Sequence, residues 1–212
     1  MYVFSRSTLM TGGNTREAQA WVAALTQKVN QITDLNIAVW QNVLSREVGR
    51  LAWVGFVEDI GQLEDADAKL QIDDAFVAEA DRGTLFTNGT LDDQLGEIIH
   101  GTVDPERTVQ YATTVSALMA PGRFARGIEL GVEIAERAEQ ITGEPTMLLS
   151  AVTGDYAAIQ WLTGYDSVHG LQLSREKLNA NPSFLHFIDN EVPGVYESGL
   201  SVTTQTCYRR VL

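Results

Sequence analysis

Gln31-Ile32-Thr33 and Gln140-Ile141-Thr142 are one triplet written twice, 109 residues apart. Each closes an amphipathic run, and the chain around each repeats with it. At the same offset Tyr2, Ser7, Leu9, Met10 and Gly13 fall on Tyr111, Ser116, Leu118, Met119 and Gly122, and Val43 falls on Val152. One residue is then lost in a turn. At an offset of 108, Trp53, Leu63, Lys69, Leu70, Phe76 and Asp81 fall on Trp161, Leu171, Lys177, Leu178, Phe184 and Asp189. A period this long is beyond any solenoid repeat, so it reads as two copies of a small domain. The copies span residues 1–103 and 108–212, with the turn-like Asp104-Pro105-Glu106-Arg107 as connector.

Within the first copy, Tyr2 to Met10 reads as a strand that Thr11-Gly12-Gly13 breaks. Asn14 with Glu17 resembles a capping box. Ala18, Trp21, Val22, Leu25, Val29 and Ile32 then recur at helical spacing on one face. Two strands follow, 36–43 and 49–57, around Ser45-Arg46-Glu47. Helix returns over 63–70 and 74–82, broken near Asp73, and a last strand lies within 91–100. The second copy repeats the plan, with strands at 108–119, 146–152, 156–163 and 200–212. Its helical stripe is Phe124, Ile128, Val132, Ala135, Ala138 and Ile141, and Pro182 suits the first turn of a later helix.

Each half therefore reads strand, helix, strand, strand, helix, strand, the ferredoxin-like arrangement. Right-handed crossovers put both helices on one side of the sheet. Strand 49–57 is apolar on both faces, with Leu51, Trp53 and Val57 on one and Ala52, Val54 and Phe56 on the other. The second face needs a cover, and the other copy's sheet is the simplest one. The expected fold class is α+β: two tandem ferredoxin-like repeats with antiparallel sheets packed face to face as an intrachain pseudo-dimeric barrel.

The bulk numbers exclude some partners. The chain of 212 residues carries 15 Lys and Arg against 28 Asp and Glu, a formal charge of −13. That disfavours nucleic acid, which needs clustered cations, and anionic membrane surfaces. No apolar run is long enough to span a bilayer, and none near Met1 reads as a signal peptide. The lone Cys207 suits a reducing compartment, so a cytoplasmic protein is expected, with a small-molecule ligand as partner and a homo-oligomer left open. No pair of His has metal-ligand spacing and no CxxC occurs, so no metal site is expected.

This plan resembles the dimeric α+β barrel superfamily, with its two subunits fused into one chain. The resemblance rests on architecture and the internal repeat and covers nearly the whole chain. It implies families such as antibiotic-biosynthesis-type monooxygenases, small lactone isomerases, stress-response barrels and chlorite dismutase-like haem proteins. It also implies a ligand held between a sheet and its helices, or inside the barrel.

Residues alike in both copies maintain the fold, so polar residues in one copy only are the candidates for function. By that test Trp53 and Trp161 are core anchors. His169 falls on Gly61 and His186 on Ala78. His169 sits at a strand-to-helix junction, where it either lines a pocket or lies exposed. Arg6, mid-strand opposite Val115, needs an anionic partner, either an acidic substrate or an internal carboxylate. Tyr165 joins His169 and Arg6 as the candidate catalytic set. Trp40, Asn42, Tyr156 and His186 are the candidate ligand-binding set, an aromatic, weakly polar lining of the kind small-molecule sites use. Tyr or Asn beside a bound phenol or enolate would support a cofactor-independent oxygenation or an isomerisation. No cofactor is read from the residues. The resemblance to chlorite dismutase-like proteins leaves haem open through His186; the plainer reading is a helix histidine bonded to a neighbour. A non-catalytic ligand-binding or assembly module is the third reading.

Overall fold

Helical stripes and alternating strands become the expected elements in the computed structural model, which describes residues 1–13, 15–104, 106–197 and 203–212. The cap expected at Asn14 and the strand start at 200–202 lie outside the described residues. The chain divides into two units, Met1–Leu95 with Arg210–Leu212 and Gly96–Arg209. In order, the first holds β1 (Tyr2–Leu9), α1 (Thr15–Ile32), β2 (Ala38–Val43), β3 (Arg50–Val57), α2 (Gly61–Gln71) and α3 (Asp74–Asp81). A 3-10 turn at Arg82–Leu85 follows, and β4 (Asp92–His100) runs on into the second unit. The second holds β5 (Tyr111–Leu118), α4 (Phe124–Thr142), β6 (Thr146–Ala151), β7 (Ala158–Tyr165), α5 (Val168–Asn179), α6 (Pro182–Glu191) and β8 (Thr204–Arg210). The strand order β1-β3-β2-β8-β5-β7-β6-β4 is that of a closed barrel, so the fold is α+β with two βαββαβ repeats in one chain.

The break near Asp73 is a cap. The Asp73 carboxylate accepts from the Phe76 amide at 2.7 Å and starts α3. Its repeat partner Asn181 accepts from the Phe184 amide at 2.9 Å and starts α6, with Pro182 in the first turn. The second helix of each repeat is therefore a capped pair.

In the first unit α1 presses Ala18, Trp21 and Val22 onto Val39, Leu51 and Trp53 of the sheet. Trp21 meets Trp53 edge-on at 6.0 Å and Phe86 at 5.6 Å. The indole nitrogens are satisfied, Trp53 donating to Thr26 Oγ1 and Trp21 to the Glu79 carbonyl. Each such burial contributes about 1.5–3 kcal/mol. In the second unit the glycines at 127 and 131 do the corresponding work. A Cβ on Gly127 would stand 2.5 Å from Met119 Cγ, and one on Gly131 would stand 2.9 Å from Leu148. The expected stripe of α4 packs through Ala135, Ile128 and Val132, the contact face also takes in Gly127, Leu130 and Gly131, and Phe124 is left half exposed.

The two faces of β3 are also unequal. Leu51, Trp53 and Val57 are buried beneath the helices. On the other face Ala52 is buried, but Val54 is half-buried and Phe56 is 37% exposed. The expectation of two fully buried faces fails there, because the first unit's sheet keeps accessible surface on the side away from α1.

Candidate functional site

The first unit contains a cleft of about 340 Å³ where α1 begins. It exists because the walls are built from small residues. Ala18, Gln19 and Val22 of α1 form one side, and Gln41 and Leu51 of the sheet form the other. Met10, Thr11, Gly12 and Gly13 close one end, and Val48, Gly49 and Val211 complete the lining. A Cβ on Gly12, Gly13 or Gly49 would meet nothing within 4 Å. Gly13 and Gly49 adopt φ of +97° and +100°, which a larger residue resists, so both turns keep the space open. Among these residues the polar side chains are Thr11, Gln19 and Gln41, all neutral.

The repeat allows a direct comparison. Met10, Ala18, Val22 and Leu51 fall on Met119, Gly127, Gly131 and Ile159. In the second unit that place is filled. Tyr196 is 6% exposed, stacks edge-on against Trp161 at 5.6 Å, and donates its hydroxyl to the Gly127 carbonyl at 2.6 Å. Met119 is buried against Gly127 beside it. Burial drives the Tyr196 phenol far above its ordinary ionisation range, so it stays a neutral donor. The duplication has left one copy open and the other plugged.

The candidate residues lie apart. In the first unit Arg6 sits on the α1 side of the sheet, where Nε and Nη2 meet the Asp93 carboxylate at 2.8 and 2.7 Å. That hydrogen-bonded pair raises the guanidinium pKa, and both side chains are about half exposed. The internal-carboxylate reading describes this arginine. Trp40 and Asn42 point to the opposite face, since Val39 between them and α1 packs into the helix-covered core. In the second unit Tyr165 is buried on the helix-covered face beside Thr113, with 3.4 Å between the hydroxyls. Burial raises its pKa, opposed by hydrogen bonds from Thr113 and Thr163. His169 is exposed in the first turn of α5, and Tyr156 is 91% exposed in the turn before β7. No candidate lines the cleft. Gln19 was the legible member of its lining, a polar residue whose repeat partner is Ile128.

His186 is exposed on α6. Its Nδ1 lies 3.2 Å from Asn190 Nδ2, which also donates to the His186 carbonyl at 2.6 Å. The neighbour that faces the core is Phe187, packed with Trp161, Leu148 and Tyr196. His186 therefore lies on the exposed side of α6, turned away from that packed core. Among the described residues no group of three or more His, Cys, Asp or Glu could hold a metal ion, and no helix is long and apolar enough to cross a membrane.

No protein-family model and no curated sequence matches the chain. Solved structures match it in fold. A candidate monooxygenase from Fusobacterium nucleatum superposes with a TM-score of 0.72 at 8% identity, over 100% of this chain and 92% of that one. A candidate monooxygenase from Lactobacillus acidophilus gives 0.65 at 10% identity, over 100% and 94%. A heme-degrading enzyme from Listeria monocytogenes gives 0.54 at 8% identity, over 99% of both chains. The chain thus has the dimeric α+β barrel fold, with both halves in a single polypeptide.

Proposed function

We propose that the protein binds a small, uncharged organic molecule in the cleft at the start of α1. The observation that carries this reading is the composition of the lining. In a chain of net charge −13, the cleft's described lining contains no Asp, Glu, Lys, Arg or His. A charged ligand would find no counter-ion there, and desolvating it would be costly. Apolar walls from Val22, Val48, Leu51 and Val211 with neutral hydrogen-bonding groups at Thr11, Gln19 and Gln41 suit a neutral molecule held by one or two polar contacts. An apolar cavity of about 150 Å³ accommodates benzene. At roughly twice that volume, this cleft suits a molecule of about two fused rings.

Turnover is the second reading, a cofactor-independent oxygenation or an isomerisation of such a molecule. It is favoured by the fold shared with the two candidate monooxygenases and with an anthrone oxidase-like protein. The lining offers amides and a hydroxyl but no general base. On this reading the substrate brings its own labile proton, as a phenol or enol does, and Gln19 or Gln41 steadies the oxygen.

The test is a binding screen of neutral one- and two-ring compounds by ligand-observed NMR, run on the wild type and on Ala18→Leu. Hits that bind the wild type and are lost in Ala18→Leu support the cleft, and hits that bind both equally refute it. Oxygen uptake with the bound phenols then separates turnover from binding.

A further inference from the structure

We infer that the cleft of the first unit selects cyclic amides, rings that carry an N–H and a C=O side by side, held edge to edge by the side-chain amide of Gln41. The inference rests on the cleft reading above and narrows its neutral ligands to one chemical class.

The starting point is a difference between the two copies. The polar side chains of the open cleft are Thr11, Gln19 and Gln41. Their repeat partners are Ala120, Ile128 and Ser150. The copy that Tyr196 plugs thus has an apolar or much shorter side chain at each of the three places. The fold does not call for these hydrogen-bonding groups, since the closed copy does without them.

Thr11 and Gln19 are exposed, so water serves them. Gln41 is placed differently. It lies on β2 two residues after Val39, which is wholly buried beneath α1, so alternation turns it to the same side. Its neighbour across the β2–β3 ladder is Leu51, which is buried. Val211, bonded through its backbone to Val39, flanks the other side of the strand. Neither side chain can bond an amide. Gln41 is half-buried, and among the described residues its side chain makes no hydrogen bond. Its oxygen and nitrogen therefore remain for a molecule in the cleft.

The shape of that group sets the class of ligand. The oxygen of a primary amide and one of its N–H bonds share an edge, acceptor beside donor. The complementary edge is a donor beside an acceptor at the same spacing, which a cyclic amide has because its ring holds N–H and C=O cis. Two parallel hydrogen bonds then form. The ligand N–H donates to Gln41 Oε1, and Gln41 Nε2 donates to the ligand carbonyl. A ligand with only one of the two groups leaves half of the edge unpaired once water is displaced. A carboxylic acid has the same edge only while protonated. Near neutral pH it is an anion, and the cleft's lining has no cation to meet it.

Quinolin-2-one is a probe of the class, with quinoline as the ring-matched acceptor alone and indole as a donor alone. Calorimetry on the whole chain at neutral pH compares the three. Quinolin-2-one is expected to bind about tenfold or more tightly than either of the others, equivalent to about 1.4 kcal/mol. Gln41→Met keeps the length and removes both polar groups, so it should bring the three affinities within about threefold of one another. Gln41→Ser has the same expected effect and replaces it where Gln41→Met fails the circular-dichroism check for folding. Ala18→Leu should lose all three probes. Equal affinities in the wild type, or a preference for quinolin-2-one that survives in the folded Gln41 variant, overturn the inference. If the probes are still lost in Ala18→Leu, the cleft reading stands without it. Binding that Ala18→Leu does not reduce, or no binding of any probe at millimolar concentration, overturns both.

Discussion

Replacing Tyr196 by alanine tests whether this side chain is the plug of the second unit. The ring is almost wholly buried, rests edge-on against Trp161 and caps the Gly127 carbonyl. Truncation removes the transfer energy of an aromatic side chain and leaves a void bounded by Met119, Gly131, Leu148 and Trp161, together about 3–5 kcal/mol. Tyr196→Phe removes the hydroxyl alone. The Gly127 carbonyl keeps its place in α4, so the cost falls to about 0.5–1.5 kcal/mol. Urea denaturation followed by tryptophan fluorescence measures both. The void in Tyr196→Ala has the outline of the missing phenol, so para-cresol should restore stability to that variant, by about 2.7 kcal/mol at a hundred times its Kd. A loss below about 1 kcal/mol in Tyr196→Ala, or equal stabilisation of the wild type by para-cresol, would refute the plug.

Equivalent helix positions should respond unequally. Gly127→Ala, whose Cβ would stand 2.5 Å from Met119 Cγ, should cost about 1–3 kcal/mol in chemical denaturation. Ala18→Leu should cost less than that, because Ala18, though 3% exposed, lines the cleft and its added atoms have that space to enter. Equal losses would mean that the cleft is not open. Burial raises the folded-state pKa of Tyr196, while the unfolded phenol ionises near pH ~10. Stability is therefore full below that pH and declines as pH rises beyond it, because the unfolded chain loses a proton that the folded one keeps. Tyr196→Phe should flatten that decline in denaturation curves taken between about pH 9 and 11, and an unchanged slope would contradict the assignment. Haemin mixed with His186→Ala should give the same visible spectrum as with the wild type, and a Soret shift that depends on His186 would place that residue wrongly.

The fold was legible because the repeat could be laid on itself. Helical spacing located α1 through Ala18, Trp21 and Val22, and the pairs Trp53/Trp161 and Phe76/Phe184 kept the two registers aligned. In α4 the apolar spacing found Ile128, Val132 and Ala135 but passed over Gly127 and Gly131, because counting apolar side chains gives glycine no weight. The site was harder to read. Searching for one-sided polar residues led to His169, His186 and Tyr156, which the structure leaves at the surface. A cleft is a volume that side chains fail to fill, and a sequence lists only what is present. Tyr196 shows the other side of this. It comes just after α6, far along the chain from the helix it caps, and only folding brings its hydroxyl to Gly127.

The first unit takes Arg210–Leu212 from beyond the second one, and Val39 exchanges backbone hydrogen bonds with Val211 and Leu212. Its sheet is therefore finished by residues that a ribosome makes only after all of the second copy. Until then β2 presents an unpaired edge, the kind of surface on which nascent chains associate wrongly. Cutting the gene at the connector would not release two working halves, because the first would lose part of its own sheet. In the joined chain one copy keeps its cleft open while the other closes the same place over Tyr196, and the open copy depends on the closed copy's last residues for its sheet.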